Sequence, residues 1–225
     1  MKSFTCLALA CILSGTLTAQ NFHVNASLGA TNYSGDLQLK RYTFNQSHPA
    51  LAIGISYELS EKFLIRSQLM TGKLSGNDKF NPLTAVRNLN FTTSLTEFQL
   101  GAEYYFRSYS EYTISPYVFA GVAAYHFNPY TPDAAGAKYF LQPLSTEGQG
   151  FYQGRTPYHL TQLAIPFGGG IKMALSENIR VGVEFGLRKL FTDYIDDVST
   201  TYIDPNILLT NRGAKAVELA YRETE

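Results

Sequence analysis

The chain has no tryptophan, and cysteine is confined to Cys6 and Cys11. Charge is scarce: Asp, Glu, Lys and Arg make up 16% of residues, against about 25% in an ordinary soluble domain. There is no excess of either sign, with 18 basic and 18 acidic side chains. A nucleic-acid binder must neutralise phosphates with a basic surplus, so that class is excluded. Long hydrophobic runs are missing too. None approaches the roughly 18 residues that a membrane-spanning helix needs, which excludes a helical membrane protein. What is present in quantity is aromatic: 16 Tyr and 15 Phe in 225 residues, an apolar content incompatible with disorder.

The first twenty residues point to export. Met1-Lys2 gives a positive start, Phe4 to Leu13 is apolar, and Leu17-Thr18-Ala19 places a small residue at the cleavage edge before Gln20. This is the pattern of a secretory signal peptide over residues 1–19, followed by one domain over 20–225. Acylation at Cys11 is the weaker alternative, because Leu9 in Ala8-Leu9-Ala10 stands in the wrong place. With the leader removed both cysteines go, and no disulfide framework or thiol chemistry remains.

The dominant period along the rest of the chain is two, the strand signature. Seven segments carry it: residues 22–30, 50–58, 63–69, 95–106, 113–127, 160–174 and 179–189. The last is the cleanest, with Ile179, Val181, Val183, Phe185 and Leu187 against Arg180, Gly182, Glu184, Gly186 and Arg188. In 113–127 both sides are apolar and the facing stays open. Links alternate in length. Those at 59–62, 107–112 and 175–178 are short, and those at 31–49, 74–90 and 128–157 are long and rich in Gly, Pro, Asn and Ser. Short turns at one end and long loops at the other describe an all-β, up-and-down antiparallel outer-membrane barrel of the eight-stranded type.

Alternation alone would also fit a secreted soluble barrel or sandwich; the make-up of the less apolar face decides. It is repeatedly Gly, Ala and Ser, punctuated by Arg, Glu and Gln. Small residues weaken a water-exposed strand face, whereas a narrow lumen filled by side chains needs them beside bulky charged ones. Arg66, Glu97, Glu103, Lys172, Arg180, Glu184 and Arg188 all fall on these faces, and charges in such a lumen must pair, so they are expected to form an ion-pair ladder plugging the barrel. The opposite face is aliphatic in mid-strand, as expected for a lipid band. Aromatic girdles are expected at Tyr57, Phe63, Tyr104 and Phe106 near the short turns, and at Tyr125, Phe127 and Tyr158 near the long loops.

Seven strands is an odd number, and an open edge in lipid leaves backbone groups unpaired at a cost of roughly several kcal/mol each. After Arg188 the chain reads as a polar segment and then, from Pro205 to Tyr221, as more helix than strand. A closing strand is therefore expected either beyond this sequence, which would make residues 20–225 a C-terminally incomplete barrel, or from another chain.

Several blocks resemble the PorG-like family, small outer-membrane barrels of Bacteroidota linked to type IX secretion and gliding. They are Asn32-Tyr33-Ser34-Gly35-Asp36-Leu37, Ser115 to Gly121 with Phe127-Asn128-Pro129, Pro143 to Gly150, Ile165 to Gly170, and Phe191 to Thr200. The resemblance implies a non-enzymatic part of a protein secretion apparatus in the cell outer membrane, touching lipid and a periplasmic ring; the residues themselves point to no cofactor, nucleic acid or small-molecule substrate.

Chemical motifs are sparse. His23, His48, His126 and His159 have no metal-ligand spacing. Asp193, Asp196 and Asp197 fit no Ca²⁺ loop and read as an acidic rim. Gly168-Gly169-Gly170 lacks the Lys-Ser/Thr of a phosphate loop and reads as close packing inside a strand. Ser145 and His159 share a loop region, but nothing marks the hydroxyl as activated. An external contact, the basis of a second reading as a stand-alone ligand-binding barrel, would sit on the longest loop, at Tyr130, Tyr139, Phe140, Phe151, Tyr152 and Arg155. A rim-located enzyme is the third reading.

Overall fold

A computed structural model describes residues 3–7, 21–38 and 42–223. The alternating segments become antiparallel strands: β1 (Ser3–Leu7), β2 (Phe22–Asn32), β3 (His48–Ser60), β4 (Phe63–Asn77), β5 (Asn90–Tyr105), β6 (Ile114–Pro132), β7 (Lys138–Phe140), β8 (Thr161–Ala174) and β9 (Arg180–Leu190). They close on themselves in the order β5-β4-β3-β2-β1-β9-β8-β6, with β6 returning to β5. Short β7 pairs with the end of β6, outside the ring. Two short helices follow, α1 (Pro205–Arg212) and α2 (Ala214–Ala220), where the sequence reads as helix. The start of α1 is set by Asp204, whose side chain accepts from the Asn206 amide, and by Pro205, whose missing N–H costs nothing there.

The strand expected from beyond this sequence or from another chain comes, in the structure, from the N-terminal segment. Ser3–Leu7, inside the predicted leader, occupies the eighth position, pairing with β2 at Thr5↔Asn32 to Leu7↔Ala30 and with β9 at Ser3↔Lys189 to Cys6↔Gly186. The physical reason is that the facing edges of β2 and β9 carry bare N–H and C=O groups, which any extended segment of the right direction can satisfy. A leader that is cut away cannot also close the ring, so this pairing belongs to the chain while residues 3–7 are attached. The expected cleavage edge at Ala19 and the acylation candidate Cys11 lie outside the described residues.

The wall is built with its polarity reversed relative to a soluble protein. Ile53, Ile55, Leu69, Phe98, Leu100, Val122, Leu163 and Val183 point outward and are exposed, Val122 to 64%. Arg66, Glu97, Glu103, Lys172 and Arg188 point inward and are buried, Glu97 to 1%. Toward the long loops the apolar band stops at one row. Thr71 pairs with Thr96, Thr96 with His126, and His126 with Thr161, so four adjacent strands turn polar on the outside in register. Beyond that row β4, β5 and β6 continue, and their inner face changes character: Leu74, Phe91, Leu95 and Phe127 form an ordinary apolar core with Tyr33, Leu37, Leu141 and Ile195 from the long loops. One strand thus carries a polar interior below the row and an apolar interior above it.

The short-turn girdle is where the sequence reading expects it, with Tyr57, Phe63, Tyr104 and Phe106 exposed, joined by Phe22. The long-loop girdle is not. Tyr125, Phe127 and Tyr158 are buried and stack in succession toward Tyr194. In 113–127 both faces are apolar, so periodicity could not say which pointed in; the inner face turns out to be the one carrying Tyr117, Phe119, Tyr125 and Phe127.

Candidate functional site

Two constellations carry the chemistry: the filled lumen and the closed mouth at the long-loop end.

In the lumen, Arg66 on β4 is the hub. Its Nη1 lies 3.1 Å from Glu103 Oε1 and 2.5 Å from Glu184 Oε2, so one guanidinium joins β5 to β9. Lys172 Nζ donates to the other oxygen of Glu103 at 2.7 Å, bringing in β8. Tyr117 donates to Glu184 at 2.7 Å, and Tyr105 to Glu103. Nearer the mouth Arg188 meets Glu97, Nη2 to Oε1 at 2.9 Å. At the short-turn end His23 Nε2 stands 3.5 Å from Glu58, while Arg180 lies 4.2 Å over the Tyr109 ring and donates to the Tyr112 carbonyl at 3.3 Å. Of the seven expected ladder residues, six pair among themselves as ions, whereas Arg180 is drawn to the aromatic floor. Glu58 was left out of the expected ladder although the alternation put it on the inward face. Counted with it, Arg66, Lys172, Arg180 and Arg188 balance Glu58, Glu97, Glu103 and Glu184.

Small residues make the room. A Cβ at Gly168 would come within 2.1 Å of the Phe185 carbonyl and 2.9 Å of the Phe119 ring. Phe119 in turn carries the Arg66 guanidinium 3.9 Å above its face. The space left among Asn25, Ser27, Arg66, Glu103, Lys172 and Glu184 is about 10 Å³, room for about one water. Across the floor Tyr105 stacks on Tyr117 and meets Tyr109 edge to face, packed with Leu64 and Phe119.

The mouth is tied by carboxylates held on hydroxyl and amide donors. Tyr33 donates to Asp196 across a sequence separation of 163 residues, with Gly35 packed against its ring where no Cβ would fit. Asp197 accepts from Thr146 and from Tyr158, both at 2.6 Å. Glu147 accepts the Ser199 and Thr200 amides at 3.0 Å and the Thr200 hydroxyl at 2.7 Å. A separate knot closes the β4–β5 loop: Asp78 takes two bonds from Arg87, at 2.7 and 2.8 Å, and others from Thr84 and the Leu89 amide. That clamp raises the Arg87 pKa above its ordinary value. Burial, reinforced by Asp196, raises the Tyr33 phenol. Burial also pushes the Asp197 carboxyl up to about 7; Glu147 and Asp196 add to the effect, and the Thr146 and Tyr158 hydrogen bonds oppose it. A pocket of about 80 Å³ lies between these carboxylates and α2, lined by Arg87, Glu147, Asp197, Thr200 and Tyr202.

The expected external-contact residues do not form one surface. Phe151 packs against Ile203 and Leu208 and under Arg212, Arg155 is tied to Glu147 and Thr201, and Tyr139 lies beneath Lys215. Tyr130 and Phe140 flank Lys138, and Phe140 and Tyr152 keep exposed rings. Asp193, Asp196 and Asp197 go to separate partners. Among the described residues no group of His, Cys, Asp or Glu is placed to hold a metal ion. The Ser145 hydroxyl accepts a hydrogen bond from the Arg212 guanidinium at 3.2 Å.

The sequence reading passed over Tyr33, Thr146 and Glu147 as individual residues, although they lie in the blocks 32–37 and 143–150. These blocks and 191–200 are far apart in sequence and meet at the mouth. Residues 2–206 match the model of a domain of unknown function, DUF6089. The chain belongs to that family. No curated protein matches it significantly in sequence. Among solved structures it is similar to Ail, the attachment invasion locus protein of Yersinia pestis, crystallised with the heparin analogue sucrose octasulfate, at 10% identity and a TM-score of 0.33 over 84% of this chain and 98% of that one. A likeness at that score carries no argument about this chain.

Proposed function

We propose that this DUF6089 chain is a non-enzymatic β-barrel of the bacterial outer membrane, with its short turns in the periplasm and its long loops outside. The observation that carries the reading is the reversed polarity of the wall: aliphatic side chains outside, paired charges inside. Water would penalise that outer surface, and acyl chains accept it. Within the membrane it serves as a structural or interaction component of type IX secretion or gliding, contacting lipid and periplasmic ring proteins. The support for this finer role is the resemblance of blocks 32–37, 143–150 and 191–200, which are the segments that seal the mouth. A filled lumen suits a scaffold better than a pore. The exposed rings of Phe140 and Tyr152 favour, as the second reading, a stand-alone barrel that binds an external ligand.

Fractionation of cells making the full chain tests the location. The protein should sediment with outer membrane and migrate faster unheated than boiled; recovery as a soluble monomer overturns it. Deletion with cargo measurement tests the role. Cargo secretion should fall and detergent pull-down should recover a periplasmic ring component. Unchanged secretion with no ring protein recovered overturns the apparatus assignment.

A further inference from the structure

Two loops on one wall of the barrel expose apolar side chains that the fold holds outward. Phe44 and Leu83 are each 81% exposed, with Phe80 and Val86 beside them in the same segments. Tyr42, Phe44, Phe80 and Pro82 come from separate loops yet line a single concavity of about 480 Å³. Tyr42 and Phe44 meet edge to face at 5.1 Å. The exposure is built in: the Asp78 knot ties Thr84, Arg87 and Leu89 inward, and Arg87 reaches the Asp36 carbonyl of the neighbouring loop, leaving Phe80, Leu83 and Val86 on the outside. Apolar groups gathered this way are an interaction surface.

Three observations choose its occupant. First, the 42–46 segment continues the lipid-facing band: Phe44 precedes Pro49, Leu51, Ile53 and Ile55, the outward residues of β3. Second, Lys79 sits 4.8 Å over the Phe80 ring and Lys73 is exposed nearby on β4, cations placed for anionic headgroups beside rings placed for the acyl boundary. Third, the same wall carries the opposite girdle: Phe22 pairs with Tyr57, and Phe63 with Tyr104, at the short-turn end of β2 to β5. From Tyr57 to Pro49 a tilted strand climbs about 20 Å, so residues just past Pro49 reach the far edge of a band about 25 Å tall.

We propose that segments 42–46 and 79–86 form an apron that seats in the headgroup–acyl boundary of the outer leaflet and anchors the β2–β5 wall. It replaces the strand-borne girdle that Tyr125 and Phe127, turned into the lumen, do not supply. The inference rests on the outer-membrane reading, and the test separates the two. Because the chain has no tryptophan, single-tryptophan variants report position directly. Phe44→Trp, Leu83→Trp, Ile53→Trp and Phe140→Trp are folded into phosphatidylcholine vesicles with and without bromine on the upper acyl carbons, with unheated mobility confirming the fold. Ile53→Trp is the control for the barrel, and Phe140→Trp, on β7, for water-exposed loop. Bromine should lower emission roughly twofold for Phe44→Trp and Leu83→Trp, lower it for Ile53→Trp, and leave Phe140→Trp unchanged. Quenching of Ile53→Trp alone overturns the apron and leaves the barrel standing. Blue-shifted, unquenched emission from Phe44→Trp and Leu83→Trp means protein contact and overturns it too. Unquenched Ile53→Trp sinks the outer-membrane reading itself.

Discussion

At the scale of single residues, the lumen shows why size and charge have to be chosen together. Arg66 can reach Glu103 and Glu184 only because Phe119 supports it from below, and Phe119 lies there only because Gly168 and Gly186 have no side chain to meet it. The Gly-and-Arg composition of the inward faces made the need for such packing readable in the sequence. The partners were not readable: alternation assigns a face, whereas pairing depends on register between strands up to 118 residues apart. The Arg188–Glu97 pair, buried on both sides, gives a direct measurement. Glu97→Gln removes the buried carboxylate facing the Arg188 guanidinium, and unfolding in urea from micelles should show a loss of about 3–5 kcal/mol. Adding Arg188→Met should restore most of it. A loss under about 1 kcal/mol for the single variant would mean that water reaches the pair.

Elements divide into those written in the sequence and those that are not. All seven expected strands form, and β4, β5 and β6 run several residues further toward the long loops than their apolar pattern does, because above the row Thr71–Thr96–His126–Thr161 the outward positions become polar and the period-two contrast fades. The loops were the least legible, since their order comes from side chains of distant segments. The tie between 141–158 and 191–200 is the clearest case, and it titrates. With its folded pKa raised from 3.8 to about 7, Asp197 binds its proton more tightly folded than unfolded. Its stabilising effect is therefore complete below the unfolded value and is lost as pH rises through about 7. The charged and titratable groups around it are Glu147, Asp196, Tyr158 and Tyr194, with Arg155 and Arg87 bordering. Hydrogen exchange across 141–158, corrected for the intrinsic rise of amide exchange with pH, should accelerate between about pH 4 and 7 and level off above that. Asp197→Asn, neutral throughout, should remove that step. A step that persists in the variant assigns it to another group.

For the whole molecule, the decisive property is that the ring encloses matter, not a channel. Ion pairs, an aromatic floor and a mouth closed by loops lie in series along the axis, with about 10 Å³ free at the central ladder. Reconstituted into planar bilayers the full chain should give no steady conductance above the leak of the bare membrane, whereas large stable openings would contradict the filled lumen. Closure of the ring is also a property of the whole. Among the described residues the eighth place is held by Ser3–Leu7, over three pairs with β2 and four with β9, and ten pairs join β2 to β3.

The amino-acid sequence alone determined the strands, the alternation of short turns and long loops, and which side of most strands faces inward. These follow from local periodicity and from the scarcity of charge, and both can be read without knowing any contact. Only the tertiary structure decided which charges pair, that Tyr125, Phe127 and Tyr158 turn in rather than out, that Asp196, Asp197 and Glu147 gather at one mouth, and what stands between β2 and β9. Each of those depends on register and closure, which bring together residues that no window along the chain contains.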